Sequence, residues 1–262
     1  MKSWTAVSRS DHMNKRWCPR NGFHFAATEQ VAEVLMAELS AAIPHYALGF
    51  VKQEDKYQFV ALLSIGGERN VYVNKENKWM CQYVPATVRG YPFMLADKSE
   101  TKEKIFCIAE SHLTDDEPNS LPIFDDEGEL ASEAYSILQF LEQCDNSRDQ
   151  TQVASRALAD AGVIEPWELK VKTSDADEEP QSLEGVYRIN EAALNKISKP
   201  VLIRLRETGA LPLAYAQLFS IKQFGQLGQR AEYLAKQQHN SDELLDLTGL
   251  FEEEGSLNFD AL

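Results

Sequence analysis

Between Lys104 and Arg148 the chain has no basic residue at all, and after Lys236 it has none again. Those two stretches hold eleven and seven acids, which together exceed the formal net charge of -15. An acidic chain forgoes the counterion release that drives most nucleic-acid binding, so duplex DNA or RNA is not an expected partner. Long apolar runs are missing too. The uncharged stretches Leu39 to Val51 and Thr208 to Ile221 fall short of the roughly 20 apolar residues a bilayer needs, and each contains a proline. The early apolar run, Trp4 to Val7, is too short and polar for a signal-peptide core. Cysteine is sparse: Cys18, Cys81, Cys107 and Cys144 form no C-x-x-C pair and have no histidine at ligand spacing, which excludes a zinc knuckle or a thioredoxin-like motif. These absences point to a cytoplasmic protein with reduced thiols.

Catalytic motifs are lacking as well. Of the five histidines, His12, His24, His45, His112 and His239, no two stand at helical i, i+4 spacing, so no metal site is expected. No G-x-S-x-G elbow marks a nucleophile. The pairs Gly66-Gly67 and Gly225 to Gly228 lack a Walker lysine and read as turn or helix-packing glycines. Ile123 to Leu130 alternates acids before Gly128, yet aligning that glycine with a calcium loop puts Ile123 and Ala134 at the two anchoring positions. That fails as an EF-hand and reads as a tight acidic turn before a helix. No cofactor is implied.

What is present is a chain whose periodicity changes twice. Thr28 to Ala42, rich in Ala, Glu, Leu and Met, reads as a helix. Ala47 to Val51, Tyr57 to Ile65, Val71 to Val73, Lys78 to Met80, Phe93 to Ala96 and Ile105 to Ala109 are short β-prone runs broken by turn residues. Pro85 to Gly90 predicts one or two helical turns. Tyr135, Leu138 and Leu141, widened by Ala134, Ile137 and Phe140, predict one helix, and Thr151 to Ala161 a second, ending at Gly162. Trp167 to Val171 and Val186 to Ile189 read as strands flanking a polar loop at Asp175 to Pro180. Helices follow from Asn190 to Ile197, from Pro200 to Thr208, and over Leu211 to Gln238. The expected fold is α+β: a central, mainly antiparallel sheet flanked by N-terminal and C-terminal helices, as one domain over residues 1–239. Residues 240–262 are expected to be an acidic, flexible tail whose Leu244, Leu245, Leu247, Leu250 and Phe251 make an amphipathic patch.

Tyr83 to Phe93 stands apart in composition. Aromatics, two prolines and an arginine supply rigid, amphipathic contact area, so Tyr83, Arg89, Tyr91, Pro92 and Phe93 are the candidate binding residues. The competing reading is a sheet-to-helix corner whose aromatics fill the core.

That stretch, together with Asn70 to Trp79 ("NVYVNKENKW"), Phe106 to Ser111 ("FCIAES") and Ile123 to Glu129 ("IFDDEGE"), resembles in order and spacing the SapC family of bacterial proteins. Upstream, His12, Phe23 to Ala26, Glu38 and Pro44 to Val51 fit the family's opening pattern. Downstream, Glu165 to Trp167, Gly185 to Ile197 and Gly209 to Ile221 fit its close. Gly90 stands where family members often carry a second arginine. The resemblance implies a non-catalytic accessory or binding protein. Its implied protein or peptide partners are flavin-dependent tryptophan-halogenase-like enzymes, TonB-dependent receptor systems and cupin-like proteins, beside which similar proteins are encoded. Two other readings stay open: an enzyme built from scattered groups such as His12, Glu110 and His112, and a surface-layer or envelope component.

Overall fold

The computed structural model describes residues 3–65, 69–98, 103–115, 118–171 and 181–249. The first third of the chain carries β1 (Trp4–Ala6), α1 (Arg9–His12), β2 (Arg16–Trp17), β3 (Val31–Glu33), α2 (Leu39–Ala42), β4 (Leu48–Gln53) and β5 (Lys56–Leu62). Then come α3 (Ala86–Arg89), β6 (Phe93–Asp97), β7 (Lys104–Ala109), β8 (Leu113–Thr114), β9 (Leu121–Pro122) and the long α4 (Ser132–Asp160). The remainder is β10 (Ile164–Pro166), β11 (Leu169–Val171), β12 (Gln181–Leu183), β13 (Val186–Ile189), α5 (Glu191–Leu194), α6 (Lys199–Glu207), α7 (Ala210–Ser220) and α8 (Gln223–Gly249).

The protein is α+β, with every strand pair antiparallel. The largest sheet has five strands in the order β10-β13-β4-β5-β3, and a second has three in the order β1-β7-β6. Two small sheets, β8-β2-β9 and β11-β12, complete the set among the described residues. In the central hairpin of the large sheet, Leu48, Phe50 and Phe59 to Leu62 are buried without alternation. Helices α4 and α7 pack on that hairpin, whose buried residues belong to the main core.

Helix α4 joins the two sheets. Near its start, Ile137 and Leu141 pack against the core of the three-stranded sheet, built on Trp17, Phe93, Ile108 and Ile123. Farther along, Ala154, Ala157 and Leu158 belong to the main core with Phe50, Phe59 and Leu213. The expectation of two helices is corrected to one of 29 residues, about 43 Å long. Its polar middle is no break, because small hydroxyls there meet backbone donors. Met36 N–H donates to Thr151 Oγ1 at 2.9 Å and Ala37 N–H to Ser147 Oγ at 3.3 Å. Tyr135, expected on the packing face, is half exposed.

The helix expected over Thr28 to Ala42 is also corrected. Val31–Glu33 pairs with β5 as the edge strand of the large sheet, and only a 3₁₀ turn at Met36–Glu38 and α2 are helical. Helix propensity is a weak prior, and the open edge of β5 overrides it. Gly225 and Gly228 lie inside α8, where an added Cβ would meet nothing; they are neither turn nor packing glycines. The acidic turn does form: Asp125 Oδ1 accepts from the backbone N–H groups of Glu127 and Glu129, and Gly128 takes φ +80°.

Helix α7 sews the large sheet together where its ladder opens. β13 pairs with β4 only at Val186 to Val51 and Tyr187 to Phe50. Beyond that register the buried Gln217 amide stands between the strands, accepting from Ile189 N–H at 3.0 Å and donating to Leu48 O at 3.2 Å. Helix α8 docks on the 72–80 loop through Arg230, which lies 4.9 Å from the Tyr72 ring centroid and donates to Met80 O at 2.9 Å. Its backbone runs to Gly249; Leu250, Phe251 and the rest of the acidic tail lie outside the described residues, as do Gly66, Gly67 and Asp175 to Pro180. No described helix is long and apolar enough to cross a membrane.

Candidate functional site: an aromatic cleft beside Tyr91

The residues singled out between Tyr83 and Phe93 separate into two groups. Tyr91 and Phe93 line a cleft of about 320 Å³ together with Trp4, Phe25, Glu33 and Arg148. Tyr83 and Arg89 lie outside that lining. Pro92 is buried, and Phe93 is only 2% exposed, its ring edge-on to Trp17 at 4.9 Å and stacked on Phe106 at the same distance. Phe93 therefore forms the floor of the cleft and belongs to the core beneath it.

Tyr91 is the hub of the cleft's aromatic wall. Its ring stacks on Phe25 with centroids 3.9 Å apart and planes 11° off parallel. Trp4 and His112 meet it edge-on at 6.1 and 5.0 Å. Edge-to-face contacts such as those of Trp4 and His112 are favoured by the ring quadrupole. The backbone is held as firmly: Arg20 donates to Arg89 O at 2.8 Å and Tyr91 O at 3.2 Å. Tyr91 and Pro92 are joined by a cis peptide bond. From Phe25 the aromatic contacts continue inward through Phe23 and Trp79 to Tyr72 and Tyr46.

The lining also carries charge. Glu33, at the end of the edge strand β3, receives Arg148 Nε on Oε2 at 2.8 Å, and Arg148 Nη1 reaches Asp145 Oδ1 at 2.8 Å. Lys104 extends the chain of charges to Asp145 and Asp97. Burial alone would lower the Arg148 pKa, but its hydrogen bonds and charge contacts with Glu33 and Asp145 raise it above the ordinary guanidinium value. Arg148 is thus a fixed cation already shared by two carboxylates.

Tyr83 and Arg89 form a separate knot around buried Glu38. Glu38 Oε2 accepts the Tyr83 hydroxyl at 2.6 Å and Ala86 N–H at 2.8 Å, while Oε1 takes Leu35 N–H at 2.8 Å. Burial first, then the hydrogen bond and charge of Glu38, push the Tyr83 phenol above its usual range. Arg89 is exposed, and its guanidinium lies 5.5 Å from the Tyr83 ring and 5.0 Å from the Phe140 ring.

Of the groups considered for scattered catalysis, both histidines have structural partners. Buried His12 accepts Ser8 N–H on Nδ1 at 3.2 Å. His112 Nδ1 must carry a proton, since it lies 2.7 Å from the Cys18 carbonyl, which can only accept. Glu110 is exposed on the 3₁₀ turn that carries His112. Among the described residues no group of three or more His, Cys, Asp or Glu is placed to hold a metal ion. Burial raises the pKa of Cys107 and Cys144, which keeps both as protonated thiols.

No motif in the sequence marks Trp4, Glu33 or Arg148. Trp4 sits on a three-residue strand, and Glu33 and Arg148 are 115 residues apart.

The fold and cleft define a class: an α+β protein with a small, aromatic-walled cleft flanked by a partly exposed ion-pair network. The family is defined as well. The SapC family model matches residues 7–227, a span that includes every lining residue named above except Trp4, and the chain belongs to the SapC family. Neither curated proteins nor solved structures gave a match to it.

Proposed function

We propose that this protein is a non-catalytic accessory protein that recognises a protein or peptide partner through the cleft beside Tyr91 and the exposed Arg89 nearby. The observation that carries the reading is the setting of Tyr91. A partly exposed aromatic ring is held by Phe25, Trp4 and His112, and the carbonyl of the same residue by Arg20. Groups held in place before binding lose little freedom on association, which is how small sites achieve useful affinity. The cleft lies at the small end of ligand-binding volumes, a size that suits one protruding side chain. Flavin-dependent halogenase-like enzymes and TonB-dependent receptor systems, implied by the resemblance, are the partners to assay first, with the acidic tail as a second contact in a cytoplasmic complex.

The test is affinity capture with the tagged full-length chain and its Tyr91→Ala and Arg89→Ala variants, followed by binding measurements on each purified candidate. A specific partner retained by the parent chain and lost with Tyr91→Ala is expected. Capture of nothing specific, or capture that neither substitution changes, would overturn the reading.

A further inference from the structure

We infer that the cleft selects an organic cation, an alkylammonium or guanidinium group, carried either by a Lys or Arg side chain of the partner or by a free amine; this rests on the cleft being the binding site. The aromatic wall of Trp4, Phe25 and Tyr91 supplies ring quadrupoles, which attract a cation and give an anion no comparable stabilisation. The charges lining the cleft are Glu29, Glu33 and Arg148, a net negative set.

Two details of the charged lining decide between cation and anion. Arg148, the obvious anchor for an anion, is already held by Glu33 and Asp145, so a bound anion would have to compete with two carboxylates at 2.8 Å. Glu33, by contrast, engages Arg148 through Oε2 only. Its Oε1 has no hydrogen-bond partner among the described residues. The Glu33 side chain is only 15% exposed, so this acceptor stands in a partly desolvated, aromatic-sided space where a cation's attraction to it is strengthened. A hydrophobic stem against Val88 and Met94 with a positive head on Glu33 matches the lining.

The test uses nuclear magnetic resonance titration of the full-length, ¹⁵N-labelled chain with butylammonium, butylguanidinium, neutral pentanol, anionic pentanoate and a capped Gly-Lys-Gly peptide. Both cations should shift the Trp4 indole and the Glu33 and Thr87 amides, with affinity roughly tenfold above that of pentanol. Tighter binding of the peptide than of butylammonium assigns the cation to a partner's side chain, and the reverse assigns it to a free amine. Glu33→Gln should abolish the preference over pentanol; because that change also loosens Arg148, Trp4→Ala is run beside it and should weaken every cation. Equal binding of pentanol and butylammonium, or preferential binding of pentanoate, would overturn the cation assignment while leaving Tyr91-dependent capture intact. Shifts from none of the probes, together with capture indifferent to Tyr91→Ala, would overturn the underlying reading as well.

Discussion

Glu38 and Tyr83 tie the N-terminal segment to the loop that leads into α3, with the phenol donating to Oε2 at 2.6 Å. The same carboxylate gathers Leu35 N–H and Ala86 N–H, so one buried side chain terminates two backbone segments at once. Removing it leaves three donors without an acceptor. Glu38→Ala is expected to cost about 2–4 kcal/mol and Tyr83→Phe about 1 kcal/mol, read as shifts in urea midpoint at constant slope.

Alkaline pH should act through three phenols. Burial is the leading cause that raises Tyr46, Tyr72 and Tyr83 above the ordinary tyrosine value. In the unfolded chain they ionise near pH 10. Their protonated forms are favoured in the folded state, so the associated stability is complete below about pH 10 and declines as pH rises above it. Thermal melts between pH 8 and 11.5 should fall off above about pH 10. The Tyr83→Phe variant should show a shallower decline than the parent chain.

Gln217 carries a prediction about the sheet. Its amide satisfies Leu48 O and Ile189 N–H, both buried where β4 and β13 no longer pair. Gln217→Leu fills the space but orphans both groups, at about 1–3 kcal/mol each. Hydrogen exchange at Ile189 should accelerate in that variant more than exchange at Phe59, which lies in the intact hairpin.

Gly90 faces α4 so closely that an added Cβ would lie 2.7 Å from Leu141 Cδ2. Gly90→Ala should therefore destabilise by about 1–3 kcal/mol. Leu141→Ala opens the space the new methyl needs. The double variant should be more stable than the sum of the single effects predicts, a coupling measurable in a double-mutant cycle.

Much of the fold is legible in the sequence because it rests on local signals. The β-prone runs of β4 and β5, the Pro85 start of α3, Asn190 as a helix cap accepting Ala193 N–H, and Gly209 at φ +71° are all set within a few residues. The two corrected helices share one physical origin, since each was decided by a distant partner. Val31–Glu33 became a strand because β5 offered an edge, and α4 crossed its polar middle because Met36 and Ala37 needed acceptors. The cleft shows the same division. Tyr91 was visible in its aromatic-rich segment, whereas the Glu33 to Arg148 pair joins side chains that no local pattern could bring together.

Because α4 places Leu141 in one core and Leu158 in the other, the two sheets share a single rigid spine. Loss of packing at either end releases helix that the other end needs, so the cores have no route to melting one at a time. Heat or denaturant should remove the cleft, the large sheet and α4 in one cooperative transition, with coincident midpoints whether followed by near-ultraviolet or far-ultraviolet circular dichroism.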